Sequence, residues 1–158
     1  MQWDKATDII LVAAIAVLGV FALLGLYQWI HRKSLKKVDR TLLAMFPPLV
    51  LMAITYFIFD KVWILNTRPD GSGEPSFPSS HTMVVATIFF FTMLALPKYV
   101  KNKPFRIVLD LIMLALIALT AVGRILSNMH WPSDVACGLV FAAIFASIYY
   151  LIKKEKHV

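Results

Sequence analysis

Eight residues of this chain have the types and spacing to do chemistry together: Lys61, Arg68, Ser79, Ser80, His81, Arg124, His130 and Asp134. All lie in or beside two connections between apolar runs, one from 60 to 80 and one from 123 to 134. Three fixed cations with no matching number of nearby carboxylates describe a receptor for a multiply charged anion such as phosphate, because a guanidinium grips two oxygens at once. The stretch SFPSSHT, residues 76 to 82, adds a helix start. It can cap that helix, aim free amides at an oxyanion and hold an imidazole beside it.

His130 and Asp134 are four residues apart. With a helix beginning immediately after His130 the two share a face, so the carboxylate can bond one ring nitrogen, fix the tautomer and leave the other as nucleophile or base. His81 then suits a proton donor to a departing alkoxide. The chemistry calls for no metal and no cofactor: the histidines are far apart, no HxxxH pair occurs, and Asp60, Asp70 and Glu74 lack a ligand spacing. Taken singly, the residues have plainer readings. Lys61 and Arg68 can snorkel as interfacial anchors, and Arg124 and Asp134 can form a structural ion pair. His31 and His157 sit in basic segments and read as solvated, and Asp110 reads as a packing or interfacial acid.

The elements that must position these groups are membrane helices. Of 158 residues, 59% are hydrophobic and only 16% charged, too apolar for an ordinary soluble domain. Five runs qualify as spans: 9–30, 41–59, 82–96, 107–122 and 135–152. The third and fourth reach the roughly 20 residues a span needs only by continuing into flanking polar sequence, which draws Ser79, Ser80, His81 and Arg124 to the membrane boundary. Twelve of the sixteen Lys and Arg residues fall in alternate connections and the tail, at 32–40, 98–106 and 153–156. That distribution predicts a cytoplasmic membrane protein with its N-terminus and chemical residues extracytoplasmic and its C-terminus cytoplasmic.

The net charge of +7 is thus a topology signal, with some attraction to anionic lipid, and not a mark of nucleic-acid binding. Cys137 is alone, within a span, so no intrachain disulfide forms. The first apolar run lacks a basic leader and reads as a retained helix. Short connections and the absence of a linker predict a single domain over 1–158. Small residues in the first span suit close packing, Pro47 and Pro48 should kink the second, and Trp3, Trp29, Trp63 and Trp131 mark interfaces.

Together the motifs resemble the type 2 phosphatidic acid phosphatase (PAP2) superfamily, with its K-x6-R-P, P-S-G-H and S-R-x5-H-x3-D signatures. They stand here as KVWILNTRP (61–69), PSSH (78–81) and GRILSNMHWPSD (123–134), with every spacing matched. The resemblance implies an all-α membrane bundle of about five spans with a PAP2-like core. It also implies that Lys61, Arg68 and Arg124, with Ser79 and nearby amides, bind the phosphoryl group. His130 would form a phosphohistidine, Asp134 would orient it, and His81 would protonate the leaving group. Two positions depart from the pattern: Ser80 replaces a glycine, adding a hydroxyl near the phosphate, and Gly123 replaces a serine. A third departure is five spans where membrane relatives usually have six, as though the first were missing. The expected partner is a membrane lipid phosphate within the bilayer. Undecaprenyl pyrophosphate comes first, phosphatidylglycerol phosphate or phosphatidate second, and a non-catalytic lipid-phosphate binder is the reading from another class.

Overall fold

A computed structural model describes residues 2–154; Lys156 and His157 lie outside the described residues. The chain is an all-α bundle whose elements run α1 (Gln2–Arg32), α2 (Arg40–Leu43), α3 (Phe46–Phe57), α4 (Ser80–Tyr99), α5 (Lys103–Leu126) and α6 (Pro132–Lys154). A 3-10 turn (Leu35–Lys37) precedes α2, and a wide π-helical turn (Ile58–Val62) extends α3. Taking Arg40–Val62 as one span, five helices are long and apolar enough to cross a membrane. Each begins earlier or ends later than its apolar run. Ser80 and His81 fall inside α4 and Arg124 inside α5, as the short runs required.

The second span is broken where the prolines predict a kink, but not at the prolines themselves. The chain interrupts at Ala44–Met45, and Pro47 and Pro48 occupy the first turn of α3. A missing N–H costs nothing there, because first-turn amides have no intrahelical acceptor.

α4 is the most enclosed of the five spans, packed by α1, α5 and α6. Being surrounded by protein, it tolerates hydroxyls that lipid would penalise. Thr87 donates to the Met83 carbonyl at 2.7 Å and Thr92 to the Ile88 carbonyl at 2.8 Å, so neither is left unsatisfied. α1, by contrast, buries only the stripe Thr7, Ile10 and Ala14, spaced to fall on one face, against α4 and α5. Ile10, Ala14, Val85, Phe89, Ile117 and Ala142 form one core; Met45, Met83, Phe91, Phe145 and Tyr149 form another.

At the end of the bundle away from the motifs, the basic residues act as staples as well as a charge collar. Asp39 accepts from Lys98 and from the Tyr99 hydroxyl at 2.9 Å, and caps α2 through the Thr41 N–H at 3.0 Å. Burial works against its charge, yet those donors hold the carboxyl below its usual range. Arg40 Nε reaches the Ile152 carbonyl at 2.8 Å. Asp110, in the half of α5 nearer the basic collar, keeps Oδ1 buried without a hydrogen-bond partner among the described residues.

Candidate active site

The two motif-bearing connections meet at one end of the bundle. The first folds into a small hairpin: Thr67 bridges Pro75, the Arg68 N–H donates to the Glu74 carbonyl at 3.0 Å, and the Ser76 N–H donates to the Asn66 carbonyl at 3.0 Å. Gly71 (φ +80°) and Gly73 (φ +74°) make the reversal in left-handed backbone that glycine adopts without strain. The second connection, between α5 and α6, docks on this hairpin. Trp131 Nε1 donates to the Thr67 carbonyl at 2.8 Å, and Asn66 donates to Asp134 at 3.3 Å. Gly138 lets α6 pass close to the start of α4, since a Cβ there would lie 3.0 Å from the Ser79 carbonyl oxygen.

His130 is buried, and its Nδ1 lies 2.7 Å from the Ser76 carbonyl oxygen. A carbonyl can only accept, so Nδ1 carries the proton and Nε2 keeps its lone pair. Burial, then the charge of Arg124, pushes the ring down to about 4, against the opposing pull of Ser76 and Asp134. His130 is therefore neutral at physiological pH. It lines a cavity of about 60 Å³ together with Tyr56, Asp60, Arg68, Ser76 and Ser80.

Asp134 does not bond the imidazole as its spacing predicts. The α-helix begins at Pro132, so the carboxylate folds back to cap its own helix, accepting from the Trp131 N–H at 3.1 Å as well as from Asn66. Its influence on His130 is electrostatic and architectural: the Asp134 backbone carbonyl also accepts from the Ser79 N–H at 3.0 Å, tying the start of α6 to that of α4. Ser79 precedes α4, but its hydroxyl is fully buried and pairs with the Thr82 hydroxyl at 3.0 Å rather than capping a backbone amide. Ser80 is the serine of the pair that reaches the cavity.

The cations are not short of carboxylates. Lys61 pairs with Asp60 at 2.8 Å and Arg68 with Glu74 at 2.7 Å. Arg124, 3% exposed, pairs with Asp4 at 2.7 Å and has Asp8 at 4.0 Å; it does not pair with Asp134. His81 Nε2 lies 2.9 Å from Asp8 Oδ1. Asp4 and Asp8 come from α1, outside every motif in the sequence. Their signal was present: two acids four apart, on one helix face, at a membrane border. Lys61 lies outside the cavity, its side chain exposed on the π-helical turn, while neighbouring Asp60 faces inward. Three polar atoms at this end, Arg68 Nε, Arg124 Nε and the Ser76 hydroxyl, are buried without a partner among the described residues. A larger cleft of about 350 Å³ at the other end, lined by Phe21, Trp29, Leu42 and Phe46, offers no titratable group.

The PAP2 superfamily model matches residues 57–157, which contain every motif. Over 85 residues the chain is 34% identical to the lipid A 1-phosphatase of Porphyromonas gingivalis, covering 54% of this chain but only 18% of that relative's length. In three dimensions it is similar to the crystal structure of a transmembrane PAP2-type phosphatidylglycerolphosphate phosphatase from Bacillus subtilis. That likeness has a TM-score of 0.64 at 21% identity, over 94% of this chain and 74% of the other. Bundle and motifs define a multi-pass membrane protein of the PAP2 type. The chain belongs to the PAP2 superfamily.

Proposed function

We propose that the chain is a membrane lipid phosphatase that hydrolyses a phosphate ester or anhydride through a phosphohistidine on His130. The observation that carries this reading is the neutral His130 ring, its Nδ1 engaged by the Ser76 carbonyl at 2.7 Å and its side chain lining a cavity shared with Arg68 and Ser80. Nε2 attacks phosphorus as the bond to the leaving oxygen breaks, and His81 gives that oxygen its proton. Water, deprotonated by the now neutral His81, then displaces the histidine and releases phosphate. Arg68 and Arg124 hold the non-bridging oxygens, their unpartnered Nε–H groups being donors whose burial otherwise costs about 1–3 kcal/mol each. Lys61 joins them by exchanging Asp60 for phosphate.

Among substrates we favour undecaprenyl pyrophosphate, since Ser80 adds a hydroxyl to the cavity where a diphosphate brings extra oxygens. Phosphatidylglycerol phosphate and phosphatidate follow. The site faces outward from the cytoplasmic membrane, as the basic collar at the opposite end supports. Purified protein is to be assayed for phosphate release from undecaprenyl pyrophosphate, phosphatidylglycerol phosphate, phosphatidate and lipid A, with and without chelator. Turnover strongest on undecaprenyl pyrophosphate and insensitive to chelator is expected. Binding of all four without phosphate release would instead identify a lipid-phosphate binder.

A further inference from the structure

Helix α1 places two carboxylates against the motif residues. Asp8 Oδ1 lies 2.9 Å from His81 Nε2, Asp4 Oδ1 lies 2.7 Å from Arg124 Nη1, and Arg124 stands 4.0 Å from Asp8. Two acids four apart on a helix repel one another, which by itself disfavours the arrangement. The guanidinium beside both and the imidazole on Asp8 reverse that. The approach is built into the packing: a Cβ on Gly123 would stand 2.7 Å from Thr7 Cγ2, so α1 reaches this depth only because the residue before Arg124 has no side chain. Thr7 is fully buried at the crossing and donates to the Asp4 carbonyl at 2.9 Å.

From this geometry we infer that Asp8 is the positioning residue of His81: it holds Nε2, fixes the ring's orientation and directs Nδ1 as the proton-delivering nitrogen. The inference rests on the phosphatase reading, in which His81 is the acid. Asp8 supplies to His81 the support that Asp134, spent on the α6 cap, does not give to His130. The charged groups around His81 are Asp4 and Asp8 from α1 and Arg124 from α5. Of these, Asp8 is the carboxylate in direct contact with the ring. In the hydrolytic cycle Asp8 makes and breaks no covalent bond. Its contact keeps the ring aimed while the proton leaves Nδ1 for the departing oxygen and, in the second half, returns from water.

The test uses full-length protein carrying Asp8→Asn, Asp8→Glu or Asp8→Ala, assayed on whichever panel lipid the wild type hydrolyses. Asp8→Asn should lower kcat by about 10- to 100-fold with little change in KM, as loss of well-placed acid catalysis does. It should also move the alkaline limb of the rate profile toward lower pH, because the carboxylate no longer favours the charged ring. Asp8→Glu should recover most of the rate. A second measurement does not depend on turnover: diethyl pyrocarbonate modification of His81 at fixed pH, in a chain where His31, His130 and His157 are replaced. Asp8→Ala should speed that reaction about fivefold or more as Nε2 is released. Unchanged reactivity overturns the contact. A rate that falls with an unaltered pH profile makes Asp8 merely structural, and a lower KM with faster turnover makes it a plug in the phosphate seat. Faster modification with no lipid hydrolysed by wild type leaves the His81 contact standing and removes the phosphatase reading.

Discussion

His130 is held neutral by burial and by Arg124, and that state is what a nitrogen nucleophile needs. Replacing it with Ala is expected to lower phosphate release by at least about 10³-fold while the protein still purifies folded, checked by activity and thermal unfolding together. The acid limb of kcat/KM for the wild type should fall near pH 4 rather than near 6.5, since protonation must first overcome the buried site. Stability has a matching sign. The folded ring titrates below the unfolded one, so the unfolded chain takes up a proton first. Stability contributed by the neutral ring is full above about 6.5 and declines as pH falls toward 4. Unfolding midpoints measured between pH 7 and 5 should drop more for wild type than for His130→Asn. Residue types and spacing were legible from the sequence, but partners were not. The i, i+4 relation between His130 and Asp134 holds in number only, because Pro132 starts the helix two residues after the histidine and turns the carboxylate to the cap. The acceptor that fixes His130 is a main-chain oxygen, which no side-chain pattern announces.

Among the elements, α1 carries the greatest difference between expectation and structure. Its length and apolar character were plain from composition, and its buried stripe matches helical periodicity. Its docking at Gly123 was not, because contact between residues 7 and 123 depends on which faces two distant helices turn toward each other. Gly123→Ala should force the crossing apart and destabilise the protein by about 1–3 kcal/mol, read by thermal unfolding in detergent. Thr7→Ser, which removes the obstructing methyl and keeps the hydroxyl, should restore the double variant. If Gly123→Ala alone unfolds like wild type, α1 does not seat as tightly as the 2.7 Å approach requires.

For the whole molecule, hydropathy alone yielded five spans, and charge alternation put both motif loops at one end; the structure brings those loops into hydrogen-bonded contact. Sequence could not show which end meets which compartment except through the basic collar. A Cys137→Ser protein carrying a cysteine at Ser72, on the exposed hairpin tip, should react with a membrane-impermeant maleimide added to intact cells. Labelling only after the cells are opened would invert the orientation.

Each guanidinium at the motif end already faces a protein carboxylate: Arg68 with Glu74 and Arg124 with Asp4. Seen from a few Debye lengths away, such a mouth is nearly silent electrically, and its field gives an approaching anion little guidance. In the proposed phosphatase, capture of a lipid head group then becomes a swap of neighbours made on contact, supplied by sideways diffusion within the leaflet rather than by long-range pull. Added salt should therefore weaken how firmly the lipid is held far more than how often it arrives.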